Sequence, residues 1–243
     1  YKLSADKGDS FLKYNYGRII LKGDFLGVNK TEGVYYIKQS ADLGNVKSML
    51  MYSKMLLSGD EIKTNLKEAA LYMKKAAENE NAEAMFTYSK MLFEGNGIQI
   101  NKKKAIKFLK KAADLGYEDA IYEYGNMLID GIYVDIDKKE GIKYLKMSSY
   151  LGNKDAMLKY GILLLDENES FYNKKEAIFY IKKAMDLGNF DAEYYYNNIT
   201  NNNNLIKMIQ NSNLNETSSM YSHGVMLYNG DGIETNKEEA VKY

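Results

Sequence analysis

The residue types that usually carry metal binding are scarce in this sequence. It has one histidine, His223, and no cysteine. His223 precedes Gly224 at a position that tyrosine occupies elsewhere in the chain, so we expect a packed structural side chain. One imidazole and no thiolate do not provide the usual ligand sets for zinc or iron. The sequence therefore predicts no metal site.

Two short motifs suggest catalytic chemistry, but neither is complete. Ser4-Ala5-Asp6-Lys7 and Ser10-Phe11-Leu12-Lys13 fit the S-x-x-K pattern of penicillin-binding enzymes, whose companion S-D-N and K-T-G motifs are absent. Gly95-Asn96-Gly97 lacks the lysine of a phosphate-binding loop, and we interpret it as a loop between helices. We predict no catalytic residue, no cofactor-binding residue and no cofactor, so the chain is not expected to be an enzyme.

The amino-acid composition limits the kinds of partner that we expect this chain to bind. The chain has 33 basic and 33 acidic residues, and this balance argues against nucleic-acid binding. No run approaches the roughly 20 apolar residues that a membrane helix needs, so we expect no membrane insertion within this sequence. The absence of cysteine and of a visible leader favours the cytoplasm. The chain starts at Tyr1 without an initiator methionine, and we take it as a piece of a longer protein.

A glycine recurring every 36 residues divides the chain into repeats, with Glu80 at the one position where it is missing. The glycines are Gly8, Gly44, Gly116, Gly152 and Gly188. The spacing predicts a single array over residues 1–243. Its parts are a partial repeat (1–8), five full repeats (9–44, 45–80, 81–116, 117–152, 153–188), a degenerate repeat (189–216) and a truncated repeat (217–243).

Each repeat is predicted to contain two helices. In the first helix of one repeat, Ala84, Tyr88 and Leu92 recur at helical spacing, and Gly95 ends the pattern. Asn101 is a predicted N-cap of the second helix, as are Asn65 and Asp137 in other repeats.

Small and aromatic residues recur at fixed repeat positions. Small residues follow a tyrosine in the first helix, where we expect two helix backbones to approach closely. They are Gly17, Ser53, Ser89, Gly125 and Gly161. An aromatic residue recurs in the second helix, where we predict core packing with the hydroxyl at the edge. These are Tyr36, Tyr72, Phe108, Tyr144 and Tyr180.

The motifs together resemble the Sel1-like repeat family of tetratricopeptide-like α-solenoids. They are A-x-x-x-[LY]-[GS] in the first helix, loops such as Gly95-Asn96-Gly97, and a second helix ending K-[KA]-A-A-x-x-G. The resemblance covers nearly the whole chain and implies an all-α, right-handed α/α superhelix of about six to seven hairpins. The repeat spacing fails after Gly188, and we interpret the Asn-rich stretch 197–215 as a shortened, irregular hairpin.

The same resemblance implies a function. Proteins similar to this one are non-catalytic scaffolds or adaptors, which predicts binding of a partner protein or peptide on the concave face of the solenoid. Sel1-like repeats are also found fused to other domains. The alternative is therefore a regulatory or targeting region of a larger protein, for example a kinase, whose catalytic domain lies outside this sequence. The oligomeric state stays open.

Variable positions of the first helices predict where a partner binds. Arg18, Lys54 and Lys90 occupy one repeat position of the first helices. Taken over all the variable positions of the first helices, the residues change from basic to acidic along the chain. We predict that these three residues receive an acidic peptide and that the charge gradient orients it. The alternative is that they are solvated helix faces without a ligand. The full predicted partner-binding set is Arg18, Lys22, Lys54, Lys90, Glu123 and Asp130.

Overall fold

The computed structural model describes residues 2–23 and 29–201, and within these ranges all regular structure is helical. There are twelve helices: α1 (Lys2–Lys7), α2 (Ser10–Lys22), α3 (Lys30–Asp42), α4 (Val46–Ser58), α5 (Leu66–Glu78), α6 (Ala82–Glu94), α7 (Lys102–Asp114), α8 (Glu118–Asp130), α9 (Lys138–Tyr150), α10 (Lys154–Leu163), α11 (Lys174–Asp186) and α12 (Phe190–Asn201). In the five full repeats the even-numbered helices, from α2 to α10, are first helices. The odd-numbered helices, from α3 to α11, are the second helices.

Second helices begin at a short polar side chain that caps the first turn. Asn65 and Asn101 accept a hydrogen bond from the backbone amide three residues later, and Asp137 does the same for α9. These caps satisfy amides that have no partner within the helix. The three predicted N-caps are confirmed.

Helix ends use left-handed backbone at the predicted glycines. Gly95 closes α6 with a φ of 81°, which confirms its predicted role. Four glycines of the 36-residue spacing follow second helices and also have positive φ, for example 86° at Gly116; the four are Gly44, Gly116, Gly152 and Gly188. Glu80 stands where that glycine is missing, and it adopts the same conformation with a φ of 59°. The chain therefore keeps this turn even where the sequence lacks glycine.

Within each of the two compact units described below, consecutive helices pack against each other. The first helix packs on the second helix of the same hairpin for α2 with α3, α4 with α5, α6 with α7 and α10 with α11. Each second helix then contacts the next first helix, as in α5 with α6 and α11 with α12. This nearest-neighbour packing is that of a solenoid, which confirms the predicted fold class. The chain divides into two compact units, residues 1–135 and 136–243, so α1–α8 belong to the first and α9–α12 to the second.

Small residues lie where the two helices of a hairpin are closest. A Cβ atom added at Gly17 would lie 3.0 Å from the Gly33 carbonyl oxygen. One added at Gly161 would lie at the same distance from the Ala177 oxygen. At the equivalent position, the Ser53 hydroxyl donates a 2.7 Å hydrogen bond to a carbonyl of the facing helix. The predicted close approach is therefore between the first and second helices of one hairpin.

Aromatic residues from both helices meet inside the hairpins α2/α3, α4/α5, α6/α7 and α10/α11. Tyr52 packs edge-to-face on Tyr72 with ring centroids 4.9 Å apart, and Tyr88 packs on Phe108 at 5.1 Å. Tyr72 is buried, while its hydroxyl reaches Asp42 of the preceding second helix. The predicted core role is confirmed for Tyr36, Tyr72 and Tyr180, which are buried, whereas Phe108 and Tyr144 are half-buried.

The C-terminal predictions are only partly covered by the structure. Of the degenerate repeat, residues 189–216, the structure describes Asn189 and α12. The remainder of that repeat, the truncated repeat 217–243 and His223 lie outside the described residues.

Candidate partner-binding site

The first helices of the first unit each present one exposed side with charged residues. Lys54 of α4 and Lys90 of α6 are exposed, while Tyr52 and Tyr88 two residues earlier are buried. The 3.6-residue helical period places these neighbours on opposite sides, so packing of the tyrosines fixes the outward direction of the lysines.

The structure pairs two of the predicted lysines with acidic residues of the next first helix. Lys54 forms an ion pair with Glu83, and Lys90 forms one with Glu123 at 3.7 Å. Burial raises the pKa of Glu123, and the attraction of Lys90 partly offsets this effect. Both pairs connect consecutive first helices along the predicted binding face.

The other predicted residues have different surroundings. The Arg18 guanidinium lies 5.4 Å from the centre of the Tyr14 ring, within the range of a cation–π contact. Lys22 is exposed at the last position of α2, and Asp130 is half-buried at the last position of α8. The structure therefore brings Lys90 and Glu123 together within the predicted set. Arg18 and Lys54 each contact a residue outside that set.

This arrangement is suited to binding charged groups. The side chains of Lys54 and Lys90 are about half exposed, so each ion pair is screened by water and contributes only about 0.2–1 kcal/mol. A charged partner therefore loses little when it exchanges such a pair for its own contact.

Within residues 2–23 and 29–201, no cluster of three or more histidine, cysteine or acidic side chains is placed to hold a metal ion. No helix in these ranges has both the length and the apolar character needed to cross a membrane.

A second charged network connects the hairpins on the side of the second helices. In three repeats a glutamate at the third position of a second helix contacts two groups. The glutamate forms an ion pair with a lysine of the preceding second helix; in the first hairpin this lysine is Lys2 of α1. The glutamate also accepts a hydrogen bond from the buried tyrosine of the first helix in the same hairpin. We call each set a Lys–Glu–Tyr triad. The triads are Lys2–Glu32–Tyr16, Lys38–Glu68–Tyr52 and Lys146–Glu176–Tyr160.

The geometry of the triads is regular. Each lysine nitrogen lies 2.9 Å from the glutamate oxygen, and each tyrosine hydroxyl donates over 2.9–3.2 Å. The side-chain amide of the N-cap Asn65 is a third donor to Glu68, at 3.1 Å. The hydrogen bond from Lys38 is the largest cause that holds the pKa of Glu68 below its ordinary value. The triads therefore stabilise both the helix start and the contact with the preceding hairpin.

Sequence analysis alone missed this network, although the sequence contains its signal. Lysine recurs at Lys2, Lys38, Lys74, Lys110 and Lys146 with the 36-residue spacing. The third position of each second helix is held by Glu32, Glu68, Lys104, Glu140 and Glu176. Comparing these two series of repeat positions indicates a lysine–glutamate pair between consecutive hairpins. The same reading identifies Lys104 as the exception.

Comparison with known protein families identifies the repeat. The Sel1 repeat family matches residues 13–45, 46–81, 82–117, 118–153, 154–189 and 217–243. The chain therefore belongs to the Sel1 repeat family. Proteins of this family are generally protein–protein interaction scaffolds, and the family is generally non-catalytic. A comparison with curated proteins finds no significant match.

Two solved structures have a similar fold. A protective antigen of uropathogenic Escherichia coli with a Sel1-like repeat fold matches 99% of this chain with a TM-score of 0.74 and 17% identity. A Sel1 repeat protein from Oxalobacter formigenes matches 98% of the chain with a TM-score of 0.67 and 23% identity. The match covers 54% of the first protein and 61% of the second. At these identities the likeness shows the shared fold.

Proposed function

We propose that this chain is a non-catalytic scaffold that binds an acidic segment of a partner protein along the first helices, on the concave face of the solenoid. The observation that carries the proposal is the row of basic residues at one repeated position within Sel1 repeats: Lys54 and Lys90, which are exposed, and Arg18, which is half-buried. Scaffolding is the general role of the family, and the row provides a surface whose charge fits an acidic ligand.

Binding on this face involves exchange of existing contacts. An incoming carboxylate takes the place of Glu83 at Lys54 and of Glu123 at Lys90, both of which are screened surface pairs. The displaced acids, with Asp130 further along, then face basic groups of the same partner. Lys22 adds a positive charge near Arg18. Because each contact is weak, affinity depends on several of them acting together.

Partner capture tests this proposal. The wild-type chain is immobilised, incubated with lysate at low salt and compared with a variant in which Arg18, Lys54 and Lys90 are all changed to glutamate. The matched control changes Lys67, Lys139 and Lys175 to glutamate. These three residues are exposed at the second position of second helices, so the net charge change is identical.

The expected result is a defined set of proteins that the wild type and the control retain and the first variant loses. Retained proteins should contain acidic segments, and synthetic peptides of those segments should bind with the same order of affinities. Equal retention by all three chains, or equal loss in both variants, would contradict binding on the first-helix face.

A further inference from the structure

The third repeat has a triad position without its carboxylate. Lys74 and Tyr88 occupy the lysine and tyrosine positions, separated from their neighbours by the same 36 residues as in the other repeats. The residue between them is Lys104, where the complete triads have glutamate. The third repeat therefore has two lysines at the two repeat positions where the complete triads have a lysine and a glutamate.

This substitution leaves a buried hydroxyl without a partner. Tyr88 is fully buried, and no group in the described part of the chain forms a hydrogen bond with its hydroxyl. In the three complete triads the equivalent hydroxyl donates to the glutamate. An unsatisfied buried donor is costly, and a binding site is one reason for a protein to retain one.

The two lysines have only weak contacts. Lys74 pairs with Glu78 on its own helix at 3.5 Å, and the two side chains are 40% and 52% exposed. The Lys104 nitrogen lies 5.7 Å from the centre of the Tyr88 ring and 5.9 Å from that of Phe108. Its stem has four rotatable bonds, so the ammonium group can move aside and open a path to the hydroxyl.

The surface around Lys104 is strongly basic. Lys103, Lys107 and Lys111 form an exposed row at four-residue spacing on α7. Like charges at this spacing repel each other and destabilise a helix, so the row has a cost in the absence of a ligand. A surface depression runs along this part of α7. Its described lining consists of Asn101, Lys103, Lys104, Lys107, Phe108 and Lys111.

We infer that Lys74, Lys104 and Tyr88 form a receptor for a carboxylate from an acidic segment of a partner protein. The incoming group replaces the missing glutamate, accepting from both ammonium groups and from the tyrosine hydroxyl. The lysine row on α7 attracts the rest of the segment. This inference rests on the proposed scaffold function, but it uses the second helices instead of the first-helix face.

The other repeats argue for a carboxylate as the ligand. In the complete triads one glutamate oxygen accepts from the lysine nitrogen and from the tyrosine hydroxyl at about 3 Å. The third repeat has the same donor types, with Lys104 in place of the glutamate. Glu78 pairs with Lys74 at 3.5 Å and its charge raises the pKa of Tyr88 after the larger effect of burial, but it forms no hydrogen bond with the Tyr88 hydroxyl. A carboxylate from outside therefore restores an arrangement that this chain already contains three times.

The test uses the whole chain and a fluorescein-labelled hexaglutamate peptide, with binding measured by fluorescence anisotropy at low salt. Lys104→Glu supplies the missing carboxylate in cis and should weaken binding at least tenfold. Lys103→Glu makes the same charge change one residue away on the same helix, and it should weaken binding less than threefold. Hexaglutamine should not bind, and added salt should weaken hexaglutamate binding.

Tyr88→Phe leaves the net charge of the chain unchanged, so its effect on peptide binding cannot come from general electrostatic attraction. It removes only the buried hydroxyl, and it should weaken hexaglutamate binding two- to fivefold while the melting temperature stays the same or rises. Circular dichroism of each variant confirms that it is folded. Unchanged binding in both Lys104→Glu and Tyr88→Phe would overturn the inference.

Three other results would also overturn it, in distinguishable ways. Equal loss in Lys103→Glu and Lys104→Glu would indicate a lysine surface without a specific site. Displacement of the peptide by millimolar inorganic phosphate, but not by chloride at equal ionic strength, would indicate a phosphate ligand. Loss only in the Arg18, Lys54 and Lys90 variant would place the acidic segment on the first-helix face, leaving the proposed function intact.

Discussion

The contribution of a single tyrosine depends on whether its hydroxyl has a partner. Tyr52 and Tyr88 occupy the same repeat position, and both are buried against the aromatic residue of the second helix. Tyr52 donates to Glu68 at 3.1 Å, whereas the Tyr88 hydroxyl has no partner in the described residues. The same chemical change should therefore have opposite effects at the two positions.

Tyr52→Phe should lower the free energy of unfolding by about 1.5–3 kcal/mol, because it breaks a hydrogen bond to a charged acceptor. Tyr88→Phe should leave it unchanged or raise it by up to about 1 kcal/mol, because no hydrogen bond is lost and a buried polar group is removed. Urea unfolding at pH 7 followed by circular dichroism measures both variants. A loss of stability in Tyr88→Phe equal to that in Tyr52→Phe would mean that the hydroxyl has a partner in solution.

At the scale of the helices, the turn after each second helix requires left-handed backbone. Gly116 has a φ of 86°, and a Cβ added there would meet no atom within 4 Å, so its role is conformational and not steric. Glu80 makes the equivalent turn with a φ of 59°. An L-residue with a side chain is strained in this conformation by about 1–2 kcal/mol.

Glu80→Gly should therefore stabilise the protein by about 0.5–1 kcal/mol, since relief of backbone strain exceeds the entropy that glycine adds to the unfolded chain. Gly116→Ala is the reciprocal change and should destabilise it by about 1 kcal/mol. Thermal melts of the two variants should shift in opposite directions by about 2–4 °C. A destabilising effect of Glu80→Gly would show that the Glu80 side chain makes a contribution larger than the strain.

Local features of the helices were predictable from the sequence, and contacts across repeats were not. Asn65, Asn101 and Gly95 act on their own helix ends, so residue type and a neighbouring apolar pattern were enough to assign them. The pairing of Lys54 with Glu83 joins residues 29 positions apart on different helices. That contact depends on how two helices are rotated against each other, which composition and periodicity do not determine. The residues predicted to bind a partner lie on first helices, as expected, but the sequence did not show which of them form ion pairs.

At the scale of the whole chain, the repeats distribute charge interactions over many similar contacts. In a repeat array of this kind each hairpin packs mainly on its neighbours, so stability is close to a sum of repeat and interface contributions. The complete triads belong to three different interfaces, one involving α1 and α3, one α3 and α5, and one α9 and α11. Since each triad depends on an ionised glutamate, protonation at low pH weakens all three interfaces together.

This arrangement predicts a specific acid sensitivity. The pKa values of Glu32, Glu68 and Glu176 lie below the ordinary 4.5, chiefly because each accepts a hydrogen bond from its lysine. The folded state therefore binds fewer protons than the unfolded state near this pH. The stability that the triads provide is present above about pH 4.5, and it is lost as the pH falls through the lower folded pKa values.

Changing these three glutamates to glutamine should lower stability at pH 7 and flatten its decline between pH 5 and pH 3. The two stability curves should converge at the acidic end, where the wild-type carboxylates are protonated too. Urea unfolding at half-unit pH intervals measures this effect. The control changes Glu118, Glu167 and Glu193 to glutamine. These exposed residues form no ion pair in the described part of the chain, so this variant should follow the wild-type slope. Equal flattening in the control would assign the acid sensitivity to net charge instead of the triads.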